Sequence, residues 1–291
     1  TAPTTAFTPC RKLRPILFSD LRTEPRAGKT FMRYANSEFK EFFAGGDPFD
    51  KLQSVQGEVF RSVDGRKTFR FDLNGRHYFA KLHFGVGWRE IAKNLFHLRW
   101  PIVDAENEWR AVERLTSLGV PTLHPVAYGV VGVNPATRRS YLVTQDLNDT
   151  ISLEDLGKKW LTQPPLPAIK RALIKRVASI AHALHSHGMC HRDLYLCHFL
   201  LHQNKPDLRV SLIDLHRAFS SPRLRRRWLV KDIGSLYYSC LHLNLTTRDL
   251  LRFVRAYEAQ GLRHASTANA DFWQAVATKA RSLHKRHGDA A

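Results

Sequence analysis

The sequence is poor in acidic side chains, in cysteine and in long apolar runs, and each shortage excludes a class of protein. Against 45 Lys and Arg there are only 26 Asp and Glu in 291 residues, which gives a formal net charge of +19. Four Cys are too few for a disulfide scaffold in a chain of this length. No apolar run reaches the roughly 18 residues of a transmembrane helix, and we find no signal-peptide segment. We therefore expect a reducing, cytoplasmic compartment.

The rest of the composition is that of a folded protein with an anionic partner. Apolar residues make up 43% of the chain and six Trp are present, which is enough for a hydrophobic core. Basic residues outnumber acidic ones by 23 to 11 between residues 148 and 291, so the excess charge lies mainly in the second half. Nucleic acid, anionic lipid and phosphorylated sugar all suit such a surface. Because no aromatic-interleaved basic repeat, zinc-finger spacing or basic zipper occurs, no specific nucleic acid is expected.

The chain divides by pattern into three parts. Residues 1–31 are rich in Thr, Pro and Arg without a sustained period, so we expect a flexible N-terminal extension that ends just before Met32. Residues 32–147 are rich in strand-like runs and contain one predicted long helix, Ala105–Leu118. The predicted strands are Glu58–Val63, Thr68–Leu73, Arg76–Phe84, Val126–Val133 and Ser140–Val143, the first three joined by the turns Asp64-Gly65 and Asn74-Gly75.

Residues 148–291 are mainly helical by pattern. The predicted helices are Ala168–His187, Leu229–Leu241, Thr247–Gln260 and Asp271–His287, with short apolar runs at Phe199–His202 and Val210–Ile213 between the first two. The predicted fold class is α+β, with two lobes. A small antiparallel β-rich lobe with one helix, residues 32–147, precedes a larger helical lobe, residues 148–291.

Four charged side chains stand in the order and context that phosphoryl transfer requires. Lys81 lies in a predicted strand, Glu108 in the helix after it, Asp193 in a loop after a long helix, and Asp214 directly after an apolar run. A kinase uses such residues to hold the nucleotide phosphates, orient that lysine, accept the hydroxyl proton and bind Mg²⁺. The segment His191-Arg192-Asp193-Leu194 resembles the catalytic loop of the protein-kinase superfamily, and that resemblance implies a kinase-like fold.

The sequence departs from the protein-kinase pattern at several points. His198 stands where the loop Asn belongs, and Asp214-Leu215-His216 replaces D-F-G. We find neither a G-x-G-x-x-G loop nor an A-P-E segment. These departures favour a kinase of small molecules over an ordinary protein kinase.

A second resemblance covers about residues 32–287. The segments HRDLYLCHFLLH, LIDLHRA, GWREIAKN, NEWRAVERL and RRWLVKDIGSLYYS are similar to those of the lipopolysaccharide core heptose kinase family. This resemblance implies an enzyme that uses ATP and Mg²⁺ to phosphorylate a heptose, heptose I, of the lipopolysaccharide inner core. It also implies a cytoplasmic protein that contacts the anionic inner-membrane surface peripherally, because the acceptor is an acidic glycolipid.

The two resemblances assign roles to residues of this sequence. Asp193 is the expected catalytic base, and Lys81, Glu108, Gln145 and Leu147 are the expected ATP-binding residues. Glu106 and Glu113 lie near Glu108 in sequence, and the NEWRAVERL segment favours Glu108 for the lysine partner.

The magnesium ligand is expected to be Asp214. His198 either joins it at the metal or hydrogen-bonds the loop, and the second role is preferred because neutral imidazole is a poor Mg²⁺ ligand. His191, Arg192 and Asp232 are expected to support the catalytic loop.

A zinc site at the adjacent Cys-His pairs Cys190-His191 and Cys197-His198 is disfavoured, because the spacing is not that of a zinc motif.

An arginine cluster follows the predicted metal site. Its members Arg223, Arg225, Arg226 and Arg227 are candidate acceptor-binding residues, because arginine forks suit carboxylates and phosphates. A solvated charged loop is the simpler interpretation of any one of them. For the whole chain, the alternatives are a kinase of a Kdo sugar or of protein Tyr or Ser, a pseudokinase binding module, and a nucleic-acid-binding module.

Overall fold

The structure is a computed structural model that describes residues 30–63, 65–96 and 105–288. The predicted extension, residues 1–31, lies outside these ranges except for its last two residues. Asp64 of the first predicted hairpin turn lies outside them as well.

The N-terminal lobe is built on a six-stranded antiparallel sheet. Its strands are β1 (Thr30–Ala35), β2 (Glu58–Val63), β3 (Arg66–Leu73), β4 (Arg76–His83), β5 (His124–Val131) and β6 (Arg139–Gln145). They lie in the order β1-β5-β6-β4-β3-β2. The meander β2-β3-β4 and the later strands β5 and β6 confirm the predicted strands, with ends that differ by a few residues. β1 was not predicted, because its six residues carry neither a turn signal nor a sustained alternation.

Strand alternation in β4 decides which side chains face the core of the sheet and which leave its other face. Ala80 and Leu82 are fully buried in the core of the sheet. Lys81 lies between them, opposite Thr68 of β3 and Leu142 of β6, so its side chain leaves the opposite face. The register is fixed at the hairpin by Asn74 and Gly75, which both have positive φ, as a two-residue hairpin turn requires.

In the described part of this lobe four helices accompany the sheet, where one was predicted. They are α1 (Ser37–Phe42), α2 (Pro48–Ser54), α3 (Gly87–Phe96) and α4 (Glu106–Ser117). α2 begins at Pro48, because Asp47 caps the backbone N–H groups of Phe49 and Asp50 while Pro48 takes the first helical position. α4 confirms the predicted long helix.

The C-terminal lobe is helical with three small strand pairings. Its elements are β7 (Thr150–Ser152), α5 (Leu153–Trp160), α6 (Pro167–Ser186), β8 (Met189–Cys190), β9 (Phe199–His202), β10 (Val210–Leu212), β11 (Phe219–Ser220), α7 (Arg226–Tyr238), α8 (Thr247–Tyr257), α9 (Gly261–Ser266) and α10 (Ala270–His287). β10, β9 and β7 form one small sheet, and β11 pairs with β8. α7 begins at Arg226 rather than at Leu229, because apolar periodicity does not mark its basic first turn.

Both lobes have their own apolar core, and one helix reaches the core of the other lobe. α4 buries Ala111, Val112 and Leu115 in the same cluster as Leu184 of α6 and Phe199 of β9. The antiparallel sheet followed by a helical lobe confirms the predicted α+β, kinase-like fold class. In the part of the chain that the structure describes, we find no helix with the length and apolar character to cross a bilayer.

Candidate active site

The first element of the site is an ion pair between the sheet and α4. Lys81 Nζ lies 2.5 Å from Glu108 Oε1, and Glu108 is only 1% exposed. Glu106 instead pairs with Arg110 on the outside of the same helix. The structure therefore selects Glu108 among the neighbouring glutamates. Its second oxygen, Oε2, is buried and has no hydrogen-bond partner among the described residues, so it can still accept a donor.

Asp193 lies in the loop after β8, beside two cations. Arg217 Nη1 lies 2.9 Å from both carboxylate oxygens, and Lys231 Nζ lies 3.5 Å from Oδ1. The Asp193 side chain is 16% exposed. It is therefore partly accessible to solvent, with two cations against its carboxylate.

Asp232 of α7 holds the backbone of this loop from beneath. Its Oδ2 accepts the His191 N–H at 2.7 Å and its Oδ1 accepts the Arg192 N–H at 2.8 Å. These two bonds stabilise Arg192 in a left-handed conformation with φ 73°. Burial opposes ionisation of Asp232, but the hydrogen bonds from His185 and from the His191 N–H outweigh it and lower the pKa of this carboxyl. Asp232 therefore holds the backbone of the loop at His191 and Arg192 as an ionised carboxylate.

Asp214 ends the strand-like run after β10 and takes up a left-handed conformation with φ 60°. His216 Nδ1 lies 2.6 Å from Oδ1, and His198 Nε2 lies 3.4 Å from Oδ2. Burial would raise the pKa of Asp214, but the hydrogen bond and charge of His216 outweigh it, helped by the charges of Lys81 and His198. The pKa is therefore held well below its usual range, and the carboxylate is ionised at neutral pH.

His198 and His191 connect the two aspartates. His198 Nδ1 lies 2.7 Å from the Asp193 carbonyl oxygen, so this nitrogen carries a proton and donates it. His191 Nε2 donates in the same way to the Ile213 carbonyl at 2.9 Å. Burial lowers the pKa of His191, which keeps its ring neutral. The loop around Asp193 and the turn around Asp214 are therefore tied together by two imidazoles.

The donor set around Asp214 fits magnesium better than zinc. Mg²⁺ is usually held by one or two carboxylates with substrate phosphates and water, and an ionised, partly exposed carboxylate meets that need. No group of three His, Cys, Asp or Glu side chains in the described ranges could hold a metal by itself. Burial also raises the pKa of the Cys190 thiol, which opposes the thiolate that zinc requires.

The turn after Asp214 is held by a residue of α4 that the sequence analysis missed. Asn107 Nδ2 donates to the carbonyls of His216 at 2.7 Å and Ala218 at 2.8 Å. The only sequence signal is that Asn107 precedes Glu108. The helix that orients Lys81 therefore also holds the turn that carries Arg217.

The remaining predicted nucleotide residues lie at the connection between the lobes. Gln145 ends β6, paired with Tyr78 and His124 in neighbouring strands, and its side chain is exposed. The Leu147 carbonyl accepts a hydrogen bond from Thr150 Oγ1 at 2.9 Å. Among the described residues, neither makes a hydrogen bond or ion pair to Lys81, Asp193 or Asp214.

The arginine cluster divides into different environments. Arg226 pairs with Asp271 at 2.7 Å, so part of its charge is compensated. Arg227 and Arg192 both lie over the ring of Trp228, at 4.9 Å and 5.4 Å, which brings the cluster next to the catalytic loop. Arg223 and Arg225 are exposed in the segment before α7.

Sequence reasoning also missed His216, Arg217 and Lys231. His216 and Arg217 follow Asp214 in one short run, and Lys231 directly precedes Asp232, so adjacency to predicted residues is the only signal. Arg217 and Lys231 contact Asp193 from 24 and 38 positions away, which no spacing rule marks, whereas His216 contacts Asp214 within the same turn.

The fold and this constellation define a kinase-like phosphotransferase. The chain belongs to the lipopolysaccharide kinase (Kdo/WaaP) family, whose model matches residues 50–257.

Named relatives and a solved structure agree with this membership. The chain is 44% identical over 252 residues to lipopolysaccharide core heptose(I) kinase WaaP of Pseudomonas aeruginosa, covering 85% of this chain and 94% of that protein. It is also 44% identical over 257 residues to WaaP of Escherichia coli, covering 86% and 97%. A solved structure described as WaaP in complex with acyl carrier protein has a TM-score of 0.75 at 38% identity, covering 88% of this chain and 99% of that one.

Proposed function

We propose that this protein transfers the γ-phosphate of ATP to a hydroxyl of heptose I in the lipopolysaccharide inner core. The observation that supports the proposal is the pairing of Lys81 with buried Glu108, together with the link that His198 makes between Asp193 and Asp214, in a chain of this family. The relatives' names supply the acceptor, since three curated relatives are named heptose(I) kinases.

The N-terminal lobe, residues 32–147, would bind the nucleotide. Lys81, held by buried Glu108, presents a fixed positive charge for the phosphates. Gln145 and Leu147, at the connection between the lobes, would contact the adenine side of ATP. The positive charge of Lys81 helps to lower the pKa of Asp214. The nucleotide phosphates would lie between these two residues.

Asp193 would act as the base in a direct in-line transfer. The acceptor hydroxyl oxygen attacks the γ-phosphorus while its proton passes to an Asp193 carboxylate oxygen. The bond between the γ-phosphorus and the oxygen bridging to the β-phosphate breaks, and ADP leaves with that electron pair. We assign His198 a positioning role, because its Nδ1–H holds the Asp193 carbonyl.

Asp214 would be the residue that holds Mg²⁺. When bound, Mg²⁺ neutralises charge that develops on the nucleotide phosphates. His216 fixes the orientation of the carboxylate through Oδ1, which leaves the side that faces His198 for the metal.

The C-terminal lobe, residues 148–291, would bind the acceptor. Arg227 shares the ring of Trp228 with Arg192 of the catalytic loop, and Arg223 and Arg225 are exposed just before α7. These three would contact the acidic groups of a core glycolipid, while Arg226 is partly committed to Asp271. The same basic surface would give peripheral contact with an anionic inner-membrane face from the cytoplasm. Salt-dependent sedimentation with vesicles containing anionic lipid, against vesicles of zwitterionic lipid alone, tests that contact.

The test of function is transfer from radiolabelled ATP to core lipopolysaccharide isolated from a strain that lacks this protein. We expect label on heptose I, located by mass spectrometry of the core. Asp193→Asn should abolish transfer with nucleotide binding retained, whereas the exposed-site control Asp207→Asn should match the wild type. Label on a Kdo sugar or a peptide, or no transfer despite nucleotide binding, contradicts the proposal and favours in turn each alternative acceptor or a pseudokinase.

We extend the proposal to a partner, an acyl carrier protein, because a solved relative was in complex with one. The C-terminal lobe contains an apolar cavity of about 320 Å³ that could receive an acyl chain. Side chains that line it include Leu156, Leu173, Ile233, Leu236, Phe253 and Val276.

Binding of purified acylated carrier protein, against the same protein without its acyl chain, tests this extension. We expect binding only with the acyl chain. Leu236→Trp, which fills the cavity, should weaken it, whereas Trp at the exposed Leu166 should not. Equal binding with and without the acyl chain would place the contact elsewhere.

A further inference from the structure

Two cations flank the carboxylate that the proposed function uses as its base. Arg217 reaches both oxygens of Asp193 at 2.9 Å, and Lys231 approaches Oδ1 at 3.5 Å. We call Arg217 and Lys231 the Asp193 cation pair. They come from separate elements, the turn after Asp214 and helix α7. Two independent parts of the fold thus deliver positive charge to one point.

The cation pair is not needed to hold the loop in place. The loop backbone is already fixed by Asp232, through the N–H groups of His191 and Arg192, and by His198 at the Asp193 carbonyl. Buried Asp232 has its carboxylate oxygens occupied by these bonds and by His185. The loop backbone is therefore held by other residues, and the pair contacts the Asp193 carboxylate.

Both cations keep capacity for a further anion. Their side chains are 41% and 28% exposed, against 16% for Asp193, so they line the open side of the site. A lysine ammonium has three donors, and the 3.5 Å contact is longer than the roughly 2.8 Å of a strong charge-assisted bond. Lys231 is thus only weakly engaged by Asp193.

During transfer, the negative charge that faces Arg217 and Lys231 passes from Asp193 to the phosphoryl group. As Asp193 takes the acceptor's proton, it loses the negative charge that the cations face. At the same time the phosphoryl group arrives with its negative charge spread over three oxygens. An interaction that becomes stronger in the transition state than in the ground state accelerates the chemical step.

We propose that Arg217 and Lys231 bind the transferring phosphoryl group and stabilise its charge as Asp193 becomes protonated. This inference rests on the proposed function and adds two catalytic residues to it. The ligand chemistry is a phosphoryl group in transfer. An acidic group of the acceptor is the competing source of negative charge, and the experiment separates the two.

The experiment compares binding of ADP with binding of ADP plus aluminium fluoride, a mimic of the transferring group, with MgCl₂ present in both. Isothermal titration calorimetry is run on the full chain and on Lys231→Met, Arg217→Gln and the conservative Lys231→Arg. We expect Lys231→Met and Arg217→Gln each to lose affinity for the fluoride complex about 100-fold, with ADP binding nearly unchanged. Lys231→Arg should recover most of the loss. Lys175→Met, at an exposed site of α6, is the matched control.

Two results would overturn the inference. If Lys231→Met and Arg217→Gln both bind the fluoride complex with wild-type affinity but have a lowered kcat, the two residues are positioning residues. In a separate titration of the same variants with core lipopolysaccharide and no nucleotide, loss of binding together with normal affinity for the fluoride complex would assign the pair to the acceptor's acid group. Retained ADP binding shows that a variant is folded. Because the fluoride experiment contains no acceptor, it still decides the role of the pair if heptose is not the substrate.

Discussion

At the scale of single residues, the partner of Lys81 can be tested against its neighbours. Glu108 is buried and pairs with Lys81, whereas Glu106, in the same helical turn, faces outward to Arg110. Glu108→Gln keeps the shape but removes the charge that orients the lysine. We expect kcat/KM for ATP to fall about 100-fold in Glu108→Gln and to stay within about twofold in Glu106→Gln, as measured by steady-state kinetics. Equal effects of the two substitutions would show that helix charge, not this pair, matters.

A second prediction concerns His216, which is bonded to the proposed metal ligand. His216→Ala removes the hydrogen bond that orients Asp214, and such outer partners typically contribute 10- to 100-fold to metal affinity. The Mg²⁺ concentration for half-maximal activity should therefore rise about 10-fold in His216→Ala. His287→Ala, at the exposed end of α10, serves as control. An unchanged magnesium requirement with a lower maximal rate would contradict this role.

The sequence predicts those site residues whose role can be read from their neighbours along the chain. Lys81, Asp193 and Asp214 were predictable because each stands in a local context that a kinase site needs. Arg217 and Lys231 were not, because their contacts to Asp193 join segments separated by 24 and 38 positions. Spacing rules describe neighbours within one element, and these contacts depend on how elements pack.

Among the helices, α8 is held to α6 by an ion pair whose carboxylate is buried, and the stability that this pair gives the fold depends on pH. Asp249 caps the first turn with Thr246 and lies 2.8 Å from Lys170 of α6. Burial opposes ionisation of Asp249, but the bonds from Lys170 and Thr246 outweigh it and lower its pKa to about 2. Because the folded-state pKa lies below the unfolded one, the ionised carboxylate stabilises the fold above about pH 4.

That stabilisation, of about 2 kcal/mol, should disappear as the pH falls from about 4 towards 2. The measurement is urea unfolding of the wild type and Asp249→Asn across this range, and their difference in free energy of unfolding should shrink towards low pH. Asp271→Asn is the control, because its pair with Arg226 is exposed and screened by solvent. A difference that stays constant with pH would assign the effect of Asp249→Asn to packing.

The elements themselves were predictable where periodicity runs long. α6 and α10 span several turns with a regular apolar face, so their limits agree with the sequence patterns to within one residue. The elements that were missed are β1, β7, β8, β11, α2, α3, α5 and α9. The short ones contain too few residues for a period to show, and β1 is defined by pairing with distant β5. Tertiary pairing, not local propensity, forms such elements.

At the scale of the whole molecule, the question is whether the excess charge acts as a general field or as a local surface. The chain carries a net charge of +19. Arg223, Arg225 and Arg227 are exposed members of the arginine cluster, and Arg227 lies over Trp228 together with Arg192 of the catalytic loop. If a long-range field attracts the acceptor, its binding depends on the total charge of the chain. If a docking surface binds it, binding depends on where the charges lie. The two can be separated by removing equal charge at two locations.

The Gln triple variant at Arg223, Arg225 and Arg227 should raise the KM for core lipopolysaccharide about 10-fold and leave the KM for ATP unchanged. Its dependence on salt should also become shallower, because exposed charge contacts are screened by ions. The matched triple at Arg281, Lys285 and Arg286 removes the same charge from exposed sites of α10 and should behave as the wild type. Equal rises in KM from both triples would mean that total charge alone attracts the acceptor. A rise in KM confined to the first triple localises glycolipid recognition beside the catalytic loop, where Arg192 and Arg227 both lie over the ring of Trp228.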